Sequence, residues 1–390
     1  MTQTLSPFDL MSKLISFPTV SRDSNLPLID WVEDYLTSHG IPCHRYNDDT
    51  EGRVVEKAAL FAHVGPEVEG GIVLSGHTDV VPIDGQPWDT DPWTVTEKDG
   101  KYYGRGTCDM KGFDALAIWA LVEAHKRGVK RPLQIALSFD EEVGCTGAPP
   151  MIERILETLP KASAVIVGEP SMMQAVTGHK GGRGYLTQIK GFEVHSSILH
   201  TGVNAIMYGA KLIDWANDVN TANLAAEPSE IAAPFFPPCT TAHVGVISGG
   251  TAHNITAKDC VFGMDFRVVP GEDPDEWRDA YLAKVREVEA MMQAVVPETR
   301  IDISEKFNVP ALVPEDGGEA ETLVRQITGD NASHKVSYGT EAGQFQKRGY
   351  SAVICGPGDI AQAHQPNEFC TVAQFNAGHA FMEKLLDRLQ

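Results

Sequence analysis

Apolar residues recur at helical spacing at the start of the chain. Phe8, Leu10, Met11, Leu14 and Ile15 form one stripe, and Leu28, Trp31, Val32, Tyr35 and Leu36 form a second, so two amphipathic helices are expected. The pattern then shortens to compact apolar runs at 71–75 (GIVLS), 133–139 (LQIALSF) and 164–167 (AVIV), with a helical stretch around 115–125 between the first two. Strands alternating with helices predict an α/β layer with a largely parallel sheet.

From about residue 182 the texture changes. A strand (YLTQIKG), a helix over 204–218, strands over 242–247 and 260–269, a long helix from 275 to about 295 and a strand over 300–307 follow one another. This β-α-β-β-α-β order describes a small ferredoxin-like α+β domain. After Pro310 the helix and strand alternation resumes, with helices over 319–327 and 374–389 and an extended segment over 351–354. The expected organisation is therefore a discontinuous domain, 1–181 and 309–390, with residues 182–308 inserted into it. The Pro-rich stretch 225–238 reads as an irregular loop inside the insertion.

Composition narrows the possible partners. The 390 residues are 42% hydrophobic and 22% charged, as in an ordinary globular protein. The formal net charge of −21 disfavours nucleic acid and anionic lipid, which are bound through clustered Lys and Arg. Seven cysteines without a C-x-x-C spacing do not form a disulfide framework, and a reducing, cytoplasmic location is expected. No apolar stretch is long enough to span a bilayer, and the N-terminal segment lacks a signal core.

The chemistry lies at strand ends and in the loops after them, where open α/β sheets build their sites. The run GIVLS leads into Gly76-His77-Thr78-Asp79, in which His77 is a candidate metal ligand and Asp79 its orienter. A Gly-rich loop, 104–112, carries Asp109, and SFDEEVG places Glu141 and Glu142 directly after a strand. Glu169 stands at the end of another strand, and His364 lies in a late loop. Each alone has a structural reading, as a helix cap, a solvated turn or a strand-end residue. Five coincidences of metal-type residues at strand ends favour a metal site, and the adjacent carboxylates can divide the roles of proton carrier and ligand.

The runs GHTDVVP, YGRGTCDMKG, DEEVG, VGEP, VHSS, GTEA and GPGDIAQAHQPNE occur in one order along nearly the whole chain. In this the sequence resembles the M20 metallopeptidase family. The resemblance implies a zinc-peptidase-like catalytic domain and an inserted dimerisation, or lid, domain that makes the protein a homodimer. It also implies two zinc ions per chain, with cobalt as a possible substitute. Asp109 would bridge them, His77 and Glu169 would complete one site, and Glu142 and His364 the other. Glu141 becomes the general base, Asp79 orients His77, and His195 stabilises the oxyanion in the partner's site. Asn254 and Arg267 correspond to substrate-contacting positions.

A small N-acyl amino acid is the expected substrate. Related desuccinylases carry consecutive arginines and a Gly-Thr-Ser-Asp run, whereas this chain has Gly182-Arg183 and Gly339-Thr340-Glu341-Ala342. Loss of a paired arginine disfavours a succinyl tail, and Glu341, together with Gly339 and Thr340, is placed to recognise an ammonium group. N2-acetylornithine is therefore expected, with a desuccinylase or another N-acyl-amino-acid amidohydrolase as the alternative. A more distant alternative is a nucleotide-binding oxidoreductase, because residues 356–361 match a loosened G-x-G-x-x-A fingerprint.

Overall fold

The computed structural model describes residues 4–50 and 52–390. The chain divides into two compact units, one formed by Met1–Gly178, Pro314–His334 and Thr340–Gln390, the other by His179–Val313 and Lys335–Gly339. The second unit thus begins and ends a few residues outside 182–308. It also takes back a five-residue strip that sequence pattern alone places with the first.

The first unit is built on a central sheet ordered Cys43–Asn47, Ala58–Val64, Leu133–Ser138, Ile72–His77, Ala164–Pro170, Ser351–Gly356, with Val176–His179 beyond it. The four strands from Leu133–Ser138 to Ser351–Gly356 are mutually parallel, and antiparallel strands flank them. These strands are buried along their length, which is why they read as continuous apolar runs rather than alternating ones. Alternate residues, such as Leu60, Leu74, Ile135 and Ile166, join Leu10, Leu14, Val32, Leu116, Leu385 and the rest of the core on one face. Helices Ala148–Thr158 and Ala342–Lys347 pack against strands of the same sheet.

Parallel strands align their C-terminal ends along one edge. The Ile72–His77 strand ends on His77, Leu133–Ser138 runs into residues 140–142, Ala164–Pro170 carries Glu169, and Ser351–Gly356 leads to the loop of His364. Every candidate ligand loop except that of Asp109 is thereby delivered by a parallel strand. Asp109 comes from the loop just before the helix Lys111–Arg127, which is buried along most of its length and stops at Gly128, whose φ of 65° gives the left-handed cap.

The second unit is an antiparallel sheet ordered Thr241–His243, Asp259–Val268, Gly181–Lys190, Arg300–Val309, with Ile247–Gly249 also paired to Asp259–Val268. With helices Ala205–Ala225 and Pro274–Gln293 between the strands, this is the ferredoxin-like order. Here one face is buried and one open. Cys260, Phe262, Met264, Phe266 and Val268 alternate inward, against Tyr185, Trp215 and Tyr281. The strand expected over 242–247 is interrupted into two short strands.

Several elements had no clear signal in the pattern, among them the short strands Cys43–Asn47, Thr96–Lys98, Lys101–Tyr103, Val176–His179, His334–Val336 and Phe369–Thr371. The strand Ala58–Val64 (AALFAHV) is buried throughout, and the helix Ala148–Thr158 opens on two prolines. Among the described residues, no helix is long and apolar enough to cross a membrane.

Candidate metal centre

His77, Asp109, Glu142, Glu169 and His364 converge at the strand ends of the first unit. His77 Nε2 lies 3.1 Å from Asp109 Oδ1 and 3.7 Å from Glu169 Oε1. His364 Nε2 lies 3.3 Å from Asp109 Oδ2 and 3.0 Å from Glu142 Oε2. Asp109 therefore turns one oxygen to each histidine, and each histidine faces a further carboxylate. Glu141 stands with them: a Glu141 oxygen, a His77 nitrogen and a Glu169 oxygen lie within 4.8 Å of one another, as do ligand atoms of His77, Asp109 and Glu142.

Charge makes this arrangement expensive without a cation. Asp109, Glu141, Glu142 and Glu169 crowd together inside the protein, and burial opposes ionisation of each. It pushes Glu141 up to about 7, opposed by His77 and reinforced by Asp109 and Asp79. Burial and the Asp109 charge push Glu142 up to about 8, and Glu169 is raised well above the usual carboxylate range. Asp109 alone falls well below that range, because hydrogen bonds from His364 and His77 outweigh its burial. The same contacts with Asp109 and Glu142 raise His364 to about 10. Among the described residues, buried Glu142 Oε1 finds no hydrogen-bond partner. Imidazole and carboxylate donors around an unsatisfied buried oxygen fit a divalent metal such as zinc.

The supporting contacts show how the backbone sets these roles. Asp140, first of the three consecutive acids, takes a positive φ of 55° and turns away to Arg53 and Lys57, each at 3.0 Å. Asp79 accepts hydrogen bonds from Ser21 Oγ (2.7 Å) and from the backbone N–H groups of Glu141 (3.1 Å) and Glu142 (3.3 Å). Its carboxylate is 3.6 Å from His77 Nδ1, whereas its backbone carbonyl is 2.9 Å away. Asp79 thus holds the ring chiefly through its main chain and the Glu141–Glu142 turn through its side chain. The Cys145 thiol donates to Glu141 Oε1 at 3.2 Å.

Glu368, which closes the run GPGDIAQAHQPNE, carries no role in the sequence pattern, yet it is buried beside the centre. Glu368 Oε1 accepts from the backbone N–H groups of Gly106 (3.0 Å), Cys108 (2.9 Å) and Asp109 (3.0 Å), and its Oε2 pairs with buried Arg105 at 2.6 Å. It folds the Gly-rich loop into the shape that presents Asp109. The available signal was a glutamate four residues after His364, in a loop otherwise rich in small and polar groups.

The other candidates are distributed differently. Glu341 is buried in the first unit with Thr340, and its carboxyl, pushed up to about 8 chiefly by burial, is taken up by Ser138 and by Ser75 at 3.5 Å. Gly339, His195, Asn254 and Arg267 belong to the second unit. His195 is exposed, and its Nδ1 accepts from Ser197 N at 3.2 Å, so in the neutral ring the proton sits on Nε2. The Asn254 carbonyl accepts from Ser196 N at 3.0 Å, beside the same turn, and Arg267 pairs with Asp265 at 3.0 Å. Arg183 is engaged by Asp275 and Glu305. Residues 356–361 do not form a dinucleotide site: the strand is followed by a single 3-10 turn, Ile360–Gln362, rather than a helix whose N-terminus could receive a pyrophosphate.

Comparison with known proteins gives concordant findings. Residues 73–388 match the model of Peptidase family M20/M25/M40. An acetylornithine deacetylase of Myxococcus xanthus is 35% identical over 369 residues, covering 93% of this chain and 92% of that protein. One from Pasteurella multocida (strain Pm70) is 32% identical and covers 97% and 96%. Among solved structures, the M20 family metallo-carboxypeptidase Sso-CP2 from Sulfolobus solfataricus superposes with a TM-score of 0.78 at 17% identity, covering 98% of this chain and 99% of that one. Human carnosine dipeptidase 1 gives 0.71 at 14% identity, covering 97% and 96%.

Proposed function

Because the chain belongs to Peptidase family M20/M25/M40, we propose that its carboxylate and histidine cluster holds two zinc ions and cleaves the acetyl amide of N2-acetylornithine. Membership and the cluster together make the chain a metal-dependent hydrolase. The observation that carries the two-ion reading is the division of Asp109: Oδ1 faces His77 and Oδ2 faces His364. His77 and Glu169 would hold one ion, His364 and Glu142 the other, and Asp109 would bridge them. When bound, such a pair polarises an acyl carbonyl and makes a water molecule more acidic.

The protein's own groups then move the proton. Glu141 accepts a proton from the attacking water as its oxygen bonds to the acyl carbon. It returns that proton to the amine nitrogen as the carbon–nitrogen bond breaks, leaving acetate and ornithine. Asp79 keeps Glu141 and Glu142 in place through their backbone N–H groups. His195 Nε2–H would stabilise the oxyanion, while Asn254, Arg267, Gly339 and Thr340 would receive the amino acid. Acetylornithine is favoured because relatives at 30–35% identity over nearly the full length carry that activity in their names.

Glu341 enters this reading from behind. Its carboxyl, buried against Ser138 and Ser75 and pushed up to about 8, would favour a substrate cation by charge only as it ionises above about pH 8, and without touching it. Glu341→Gln is accordingly expected to narrow the preference for acetylornithine over succinyl-diaminopimelate above that pH, measured as the ratio of the two kcat/KM values. An unchanged ratio removes Glu341 from substrate choice. Faster desuccinylation by the unmodified enzyme defeats the choice of acetylornithine while leaving a metal-dependent hydrolase.

A dimer through the second unit is part of the same proposal. The Ile247–Gly249 strand is exposed, with Val246, Ile206 and Met207 also exposed nearby in that unit, and an open apolar edge of this kind invites pairing with a second copy. Chelation is the direct test of the metal chemistry. Amine release should vanish when metal is removed and return with zinc or cobalt, with two ions per chain at saturation by elemental analysis. Full activity in metal-free protein would defeat the mechanism.

A further inference from the structure

The two histidines of the centre are held in very different ways. His77 ends a central strand, its side chain is 1% exposed, and its ring is fixed at Nδ1 by the Asp79 carbonyl. The His364 side chain is 53% exposed and sits in a loop, on a residue with φ of 63°. Nothing in regular secondary structure sets the direction of that ring. Yet it must stay opposite Asp109 Oδ2 and Glu142 Oε2 to serve as a ligand.

A line of side chains supplies the missing constraint. Gln86 Nε2 donates to the His364 backbone carbonyl at 3.1 Å. Gln86 Oε1 accepts from Arg105 Nη2 at 2.6 Å and from Trp88 Nε1 at 3.2 Å, so the amide is gripped at its other end. Arg105 is completely buried, lies over the Trp88 ring with its guanidinium carbon 5.1 Å from the centroid, and pairs with Glu368. Glu368 holds the backbone of Asp109. The line thus runs from the backbone of Asp109 to the backbone of His364 and ties the bridging carboxylate to the loop histidine. A second tie, between Asn367 and Asp89, fixes the far side of the same loop through hydrogen bonds of 2.8 and 3.0 Å.

We propose that Gln86 is a positioning residue for the metal ion that His364 and Glu142 would hold, and that it acts on that ion without bearing on the one at His77 and Glu169. The assignment rests on the two-ion reading above. It follows from where the Gln86 contact falls: one amide N–H reaches His364 alone, and no part of Gln86 meets His77 or Glu169 in the hydrogen bonds of the structure. Groups that support a ligand from outside typically change metal affinity by about 10- to 100-fold when removed.

The test is a metal titration rather than an activity assay. Full-length protein is stripped of metal, and zinc is returned in competition with a chromophoric chelator, giving one dissociation constant for each ion. Gln86→Glu keeps an oxygen for Arg105 and Trp88 but sets an acceptor against the His364 carbonyl. It should weaken one constant by about 10- to 100-fold and leave the other unchanged. Gln86→Met, similar in shape but without the oxygen that grips Arg105, also loosens the line to Asp109; it should weaken the same constant more than the other and carries the test if the glutamate variant does not fold. Two constants weakened equally, or neither weakened, overturn the assignment, since a merely structural role would lower the unfolding temperature of the metal-free protein without singling out one ion. Unmodified protein that binds a single zinc would instead overturn the two-ion reading beneath it.

Discussion

Glu141→Ala is expected to keep both metal ions and lose about 10²–10⁴-fold in kcat, the usual contribution of a positioned general base. Glu142→Ala should do the opposite in kind, losing the ion shared with His364. The two residues are adjacent, buried and similar in charge, so the prediction depends on their contacts. Glu142 lies 3.0 Å from His364 Nε2, and its buried Oε1 has no hydrogen-bond partner among the described residues, which suits a metal ligand. Glu141 accepts from the Cys145 thiol, and burial raises its carboxyl above the usual carboxylate range, which favours a group that takes and returns a proton. Its oxygen is nevertheless within reach of His77 and Glu169. Metal content measured alongside turnover decides the matter: if Glu141→Ala also releases an ion, Glu141 is a ligand and the base must be found elsewhere. Equal metal content and similar rates in both variants would mean that the roles have been divided wrongly.

What could be read from the sequence follows from how each feature is encoded. The parallel strands were legible because both faces are covered, which forces unbroken apolar runs such as IVLS and AVIV. The strand Ala58–Val64 is just as buried, but three of its seven residues are alanine, which has little preference for strands, and its inner partner, Leu133–Ser138, lies far along the chain. The loops that carry His77, Asp109, Glu142, Glu169 and His364 were legible as acids and histidines at strand ends. The orientation of the acids at 140–142 was not. It is decided by a positive φ at Asp140 and by Arg53, 87 residues away. Glu341 illustrates the same limit. Its neighbours in sequence suggest a residue open to substrate, while the partners that enclose its carboxyl, Ser75 and Ser138, come from two strands about 200 residues or more before it. Local pattern reports burial and period, and long-range partners decide where a side chain points.

Two inactive variants are expected to restore each other if His195 serves the opposite subunit. In His195 the Nδ1 atom is occupied by Ser197, so the neutral ring presents Nε2–H as a donor, and the side chain stands exposed on the second unit. Glu141→Ala and His195→Ala should each be nearly inactive alone. In a mixed dimer one site then lacks both groups, while the other combines an intact Glu141 with an intact His195 from its neighbour. Random exchange of equal amounts makes half of the dimers mixed, each with one good site of two, so activity should rise to about a quarter of the unmodified level for a closed twofold pair. Exchange is verified with differently tagged subunits, because a dimer too tight to exchange would also show no rescue. Verified mixed dimers that stay inactive would mean that His195 acts within its own chain or serves only the local turn, since every site would then still lack one essential group.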